Sequence, residues 1–399
     1  MRWVPEGPRS GPSGVPGAGR DTAAYTAGMI AEQSIRESLR AVIDPEIRRS
    51  VVELDMVRGV DVRGDHVDVT IALTVAGCPM KADLEGQVRH HVGSVEGVAS
   101  VGVSFDVMSP QEKTALRERL QPAGNGNEKK PISLGARTRV VALASGKGGV
   151  GKSTLSVNLA AVLAAGGAEV GVVDADIHGY SIPRMLGVSR RPVVVDGMIV
   201  PPVAHGMRVM SIGFFLDTEQ AVVWRGPMLH RALEQFLTDV HWGELDYLVV
   251  DMPPGTGDVA ISLGQLLPEP DLLVVTTPQP AAQRVAARTA DVAEKTGMRV
   301  AGIVENMSFV RCPCCGEVSH PFGSGGGRAL AEELGVPLLA EIPLDEPLRV
   351  AADGGTPLVM SAPDADSAQA VAALADALPG ALRPRSGAER ISRRLGVLS

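Results

Sequence analysis

Eight residues constrain this chain more than any others: Gly146-Lys147-Gly148-Gly149-Val150-Gly151-Lys152-Ser153. They satisfy the spacing G-x-x-x-x-G-K-S/T and stand between an apolar run at 140–144 and a helical stretch at 153–165. That strand-loop-helix setting separates a phosphate-binding loop from a glycine-rich turn of no consequence. Glycines let the backbone curl so that successive N–H groups face a polyphosphate, and the following helix adds its positive end. Lys152 is expected to reach the β and γ phosphates, and Ser153 to ligate Mg2+. The expected nucleotide-binding residues therefore run from Gly146 to Gly151 and on through Lys152, Ser153 and Thr154 at the helix start.

Around this loop the texture is that of a parallel sheet covered on both faces. Apolar runs without alternation recur at 140–144, 170–173, 247–250, 272–275 and 300–304, with helical stretches at 153–165, 228–240 and 281–295 between them. Continuous apolar strands separated by helices read this way because both strand faces must be buried. In such a sheet the C-terminal strand ends converge on the ligand crevice. Asp174 and Asp176 follow one strand and Asp251 ends another, where carboxylates can serve Mg2+ or orient an attacking water. Taken singly, each is as easily a helix cap or a solvated loop acid. The expectation for 138–378 is a doubly wound α/β domain with a mainly parallel sheet.

Residues 29–120 read differently. A helix at 35–42, alternating runs at 51–60 and 66–73, a helix at 80–92, a strand at 98–107 and a closing helix at 111–120 suit a small α+β domain. The polar, Gly- and Pro-containing stretch 121–137 is expected to be a linker. Residues 1–28 lack the apolar core of a secretory signal and are expected to be a disordered extension, with Met29 as an alternative start. The Arg-rich stretch 379–399 is expected to be a solubilising tail and not a membrane anchor. A length of 399 residues accommodates two domains, and a net charge of −8 argues against a nucleic-acid partner. No segment approaches the roughly 18 apolar residues of a membrane span.

Four cysteines occur, and three of them crowd together as Cys312-Pro313-Cys314-Cys315. That spacing is poor for a disulfide framework and fits metal or redox chemistry in a reducing cytoplasm. Two thiolates with two residues between them can reach one metal centre, but two are too few for a closed site. A zinc site using Cys312, Cys315 and His320 and an iron–sulfur cluster shared with a second copy stand level on ligand count, with a redox dithiol behind them. Cys78, in a Gly-Cys-Pro turn before a helix, reads equally as a thiolate for transient cluster handling and as a buried structural residue.

The loop GKGGVGKST, with its additional Lys147, resembles the deviant Walker motif of the ParA, MinD and nitrogenase-reductase group. DADIHGYSIPRMLG (174–187), WRGPM (224–228), DMPPGTGD (251–258), ENMS (305–308) and FGSGGGRALAEELG (322–335) together resemble the Mrp (ApbC) family of iron–sulfur cluster carrier ATPases. The likeness covers about 138–360 nearly continuously. DPE at 44–46 and TVAGCPM at 74–80 resemble the small assembly-related domain often fused ahead of this ATPase. The resemblance implies a homodimer closed around ATP, with Lys147 reaching the partner's nucleotide. It implies that Ser153 and Asp251 serve Mg2+, that Asp176 positions water, and that Asn306 recognises the adenine. Cys312 and Cys315 of each subunit would hold one bridging [4Fe–4S] cluster, while Cys314 stands at a variable position. The implied function is ATP-driven transfer of clusters from the assembly machinery to apo iron–sulfur proteins in the cytoplasm. A positioning switch of the MinD or ParA kind, with a zinc-bound cysteine turn, is the alternative. One departure is visible: Gly179-Tyr180 stands where the family usually has Gly-Pro.

Overall fold

The computed structural model describes residues 31–75, 80–120, 134–135, 137–177, 179–215, 226–255 and 257–384. The N-terminal domain comprises α1 (Glu32–Ser38), β1 (Val57–Arg63), β2 (His66–Leu73), α2 (Lys81–Gly93), β3 (Ser100–Val107) and α3 (Pro110–Leu120). Its sheet has the order β1-β2-β3, with β1 antiparallel and β3 parallel to the central strand. The expected α-β-β-α-β order is present, but the strand expected at 51–60 begins only at Val57. Residues 51–55 form turns, with Leu54 N–H donating to Ser50 O at 3.0 Å and Asp55 in the left-handed region. Val51 and Leu54, both buried, are three residues apart, which is helical spacing and not the period of a strand.

The second domain opens with β4 (Arg139–Ser145), α4 (Lys152–Ala165), β5 (Val170–Asp174) and the single turn α5 (Ile182–Met185). Two short pairs, β6 (Val193–Val195) with β7 (Met198–Val200) and β8 (Val203–Ala204) with β9 (Met207–Ser211), come next. Then follow α6 (Gly226–Thr238), β10 (Tyr247–Asp251), α7 (Asp258–Leu266), β11 (Asp271–Thr276), α8 (Pro280–Lys295) and β12 (Arg299–Asn306). The chain closes with β13 (Val310–Arg311), β14 (Val318–Ser319), α9 (Gly326–Leu334), β15 (Leu338–Ile342), α10 (Glu346–Gly354), α11 (Leu358–Ser361) and α12 (Asp366–Ala381).

Eight strands form one sheet in the order β15-β12-β11-β4-β10-β5-β9-β8, parallel except for the edge strand β8. The apolar runs feed two cores. Val140, Ala142 and Ala144 face the one containing Trp242 and Phe236; Val141 and Leu143 face the one containing Leu159 and Leu374. That division is why these strands carry no polar alternation. The body continues past residue 378, because α12 runs to Ala381 and Leu382 is buried. Arg383 N–H then donates to Asp271 at the start of β11, at 2.8 Å. Among the described residues no helix is long and apolar enough to cross a membrane. The expected N-terminal extension, most of the linker and the end of the tail lie outside the described residues, as does Cys78.

Candidate nucleotide site and cysteine turn

The glycine loop joins the C-terminal end of β4 to α4, with Gly149 and Gly151 in the left-handed region at φ +79° and +83°. A side chain at Gly151 would run into the Asn306 amide, and one at Gly146 would strike the backbone of α8 at Val285. Close packing therefore demands glycine at both positions, and at Gly151 backbone freedom demands it as well.

Asp251 is the hub beneath the loop. Wholly buried at the end of β10, it lies 2.7 Å from the Lys152 ammonium. It also accepts hydrogen bonds from Ser153 Oγ at 2.6 Å and Ser156 Oγ at 2.7 Å. Strand register places Asp174 of β5 directly beside Asp251 of β10. Burial, followed by the neighbouring Asp251 charge, pushes the Asp174 carboxyl up to about 7. Hydrogen bonds from the backbone N–H of Asp176, Ser181 and Ile182 and from Ser211 Oγ oppose that rise without cancelling it. Asp176 is more open and accepts from Gly179 N–H at 3.1 Å.

Of the expected residues, Lys152 and Ser153 meet on Asp251 and Asn306 meets Val150, while Lys147 finds a partner the sequence did not announce. Lys147 is exposed and its ammonium donates to Gln279 Oε1 at 3.3 Å, a group itself held by Thr277 Oγ1 at 2.7 Å. Asn306, at the end of β12, donates from Nδ2 to Val150 O at 2.8 Å and is buried. Ser156 and Gln279 were not singled out beforehand. Ser156 had a signal, since it follows Ser153 by three residues on a helix and so shares its face. The aligned strand endings VGVVD and YLVVD likewise foreshadow the Asp174–Asp251 pair. Tyr180 is exposed and its ring lies against Gly213, where no larger residue would fit.

The cysteines cap a hairpin. Val310 pairs with Ser319 and Arg311 with Val318; Cys312 N–H donates to Glu317 O at 2.9 Å, and Gly316 N–H to Cys312 O at 2.8 Å. Cys314 and Cys315 are exposed, and Cys312 is half-buried. The amide N–H of Cys315, then that of Cys314, then the Cys315 thiol hold the Cys312 thiol below its ordinary range. His320 is engaged elsewhere, with Nδ1 2.9 Å from Ser308 O and its ring edge-on to Phe309. Among the described residues no group of three or more His, Cys, Asp or Glu side chains is placed to hold a metal ion.

A glycine loop between a parallel strand and a helix, a lysine over a buried strand-end aspartate and a helix-start serine together define a P-loop nucleotide-binding protein. More narrowly, the chain belongs to the NUBPL iron-transfer P-loop NTPase family, whose pattern residues 136–379 match. Residues 32–105 match a second family, described as iron-sulfur cluster assembly protein. The iron-sulfur cluster carrier protein of Mycobacterium tuberculosis strain H37Rv is 51% identical over 365 residues, covering 89% of this chain and 94% of that relative. That of Bacillus subtilis is 40% identical over 321 residues, covering 80% and 90%. A nucleotide-binding protein of Archaeoglobus fulgidus, solved in complex with ADP, superposes with a TM-score of 0.51 at 37% identity, covering 58% of this chain and 90% of that one.

Proposed function

We propose that this protein is an ATP-dependent carrier that binds iron–sulfur clusters and passes them to apoproteins. One observation carries the reading: phosphate loop and thiol turn are fastened to the same strand end. Asn306 closes β12 while its amide holds the Val150 carbonyl of the loop, and the chain runs on from there through Met307 and Ser308 into the cysteine hairpin. Met307 sits in the left-handed region, and Ser308 Oγ donates to the Glu305 carboxylate at 2.7 Å, so the connection is short and braced.

The nucleotide chemistry follows from the site. An incoming polyphosphate competes with Asp251 for the Lys152 ammonium, drawing the lysine towards the β and γ phosphates. The Ser153 hydroxyl and Asp251 carboxylate then form an all-oxygen donor pair suited to Mg2+, which supplies charge neutralisation on the phosphates when bound. Asp176, open at the end of β5, positions the attacking water for hydrolysis, and Asn306 recognises the adenine. Lys147, exposed and hydrogen-bonded among the described residues to Gln279, swings to the nucleotide of a second copy.

The cluster is cargo. Cys312 and Cys315 offer two thiolates per chain, and a symmetric pair of chains supplies the four that a [4Fe–4S] cluster takes. The protein works in the cytoplasm as a homodimer, receiving clusters from the assembly machinery and giving them to apo iron–sulfur proteins. The test is anaerobic reconstitution with iron and sulfide, followed by metal and sulfide counts and a visible spectrum. About four iron and four sulfide per dimer, dependent on Cys312, is the expected result. Tightly held zinc without a sulfide-dependent chromophore would overturn it.

A further inference from the structure

The two domains share a wall. The β6–β7 hairpin belongs to the ATPase domain, yet Val195, Met198 and Val200 join the core that contains Ile35, Val67 and Leu116 of the N-terminal domain. Ile199, between two of them, joins the ATPase core instead. Its N–H donates to Asp239 O and its carbonyl accepts from His241 N–H, both at 2.8 Å. Alternate residues of one strand thus fasten two domains.

Arg190 precedes this hairpin and reaches across the seam. Its Nη1 lies 3.0 Å from Glu46 Oε1 and 2.8 Å from the Met80 sulfur, and Nη2 donates to Val203 O at 3.3 Å. Glu46 belongs to the Asp44-Pro45-Glu46 turn, which Asp44 Oδ1 folds by accepting from Glu46 N–H and Ile47 N–H, each at 2.9 Å. Met80 leads into α2 directly after residues 76–79. One arginine therefore grips both segments that stand out in the N-terminal sequence. The ion pair is well screened from water, with the Glu46 side chain only 10% exposed.

On its other side Arg190 is tied to the nucleotide site. Asp174 Oδ2 accepts from Ser181 N–H at 3.1 Å and Ile182 N–H at 3.2 Å, fixing the start of α5 to the carboxylate beside Asp251. After α5 the chain turns at Gly187, φ +64°, so close to Gly355 that a Cβ there would come within 3.1 Å of its carbonyl oxygen. Arg190 follows that turn.

We infer that Arg190 is a positioning residue that couples the nucleotide state of the ATPase domain to the Glu46 turn and the start of α2 in the N-terminal domain. This rests on the nucleotide-site reading above. Rearrangement of the segment after Asp174 shifts Arg190, and Arg190 carries Glu46 and Met80 with it or releases them. Coupling of this kind is reciprocal, so the N-terminal domain biases nucleotide affinity by the same factor.

The experiment is hydrogen exchange on the full-length protein, read at residues 42–56 and 80–92. Wild type, Arg190→Lys, Arg190→Ala and Glu46→Gln are each measured with Mg·ADP and with a non-hydrolysable Mg·ATP analogue, alongside both affinities. In wild type the two nucleotides are expected to differ in exchange rate at these segments by about fivefold or more. In Arg190→Ala the difference should fall below about twofold with nucleotide still bound, and Arg190→Lys should recover part of it. Glu46→Gln keeps the side-chain volume and should weaken the difference in the same direction, which guards against a folding defect in the alanine variant. Equal exchange with both nucleotides in wild type, or an undiminished difference in Arg190→Ala, overturns the inference. Failure to bind nucleotide at all would remove the site reading with it; binding without an exchange difference removes the coupling alone.

Discussion

The loop above Asp251 and the turn around Cys312 are built on opposite terms. In the first, both buried carboxylates are committed: one takes an ammonium and two hydroxyls, and the other beside it takes three backbone N–H groups and a hydroxyl. In the second, two of three thiols face solvent and the order comes from the backbone of a hairpin with two-residue strands. Chemistry on a phosphate needs charge arranged in advance in a protected place. Cargo that must leave intact needs ligands another protein can approach. The difference teaches that one domain can carry a closed polar crevice and an open thiol turn off the same strand end.

That contrast can be broken most severely at the cysteines. Cys312→Ala is expected to bring reconstituted iron and sulfide to background while nucleotide affinity stays within about twofold of wild type, as measured by metal analysis and calorimetry, because among the described residues the Cys312 thiol and the Lys152–Asp251 pair share no partner, and such positions are close to additive. A large loss of nucleotide binding would mean the two sites are one. Next in size, Lys152→Ala strands a buried carboxylate, for which about 3–5 kcal/mol of stability loss is the usual range. Denaturant unfolding would show it, and ATP binding should vanish in the same variant. An unchanged midpoint would say that Asp251 was not relying on the lysine. Gly151→Ala forces a side chain into the left-handed region and into Asn306, and is expected to cost about 1–3 kcal/mol, with a matching fall in melting temperature.

A subtler test concerns Asp174. Its folded value of about 7 lies above the unfolded 3.8, so the proton it retains stabilises the fold fully below the lower value and is lost as pH rises through the upper one. Wild-type stability should therefore decline between about pH 4 and pH 7, the window set by these two values, with a slope of at most about 1.4 kcal/mol per unit from this group. Asp174→Asn should lack that slope whatever its absolute stability, and a parallel slope in the variant would assign the effect elsewhere. The smallest effect is reserved for Cys314→Ser, where iron and sulfide content should stay within about twofold of wild type, since an exposed turn residue off the ligand spacing has no packing to lose. A collapse of iron content there would put Cys314 among the ligands.

Much of the ATPase domain was legible because burial on both faces leaves a plain signature: five of its strands appear as unbroken apolar runs. β9 and β15 were missed. Met207–Ser211 carries an arginine and a serine although all five residues are buried, and Leu338–Ile342 carries a glutamate, so neither reads as a run. The turn at 51–55 reads as strand in the sequence because apolar residues three apart mimic alternation when a polar residue falls between them. That Lys152 and Ser153 stand at the start of a helix after a buried strand is legible in the motif, but their mutual grip is not. Spacing reports which residues reach one crevice; it does not report that Lys152, Ser153 and Ser156 all close on one carboxylate, or that burial keeps the proton on its neighbour.

Asp271 has a consequence of its own. It opens β11 at the end of the sheet away from the glycine loop, and there it accepts from Arg299 Nε at 2.7 Å and from the backbone N–H of Arg383. The last described residues are thereby pinned one strand length, about 20 Å, from the phosphates. The described body therefore ends on the side of the sheet opposite the glycine loop, with Pro384 directly after the pinned Arg383.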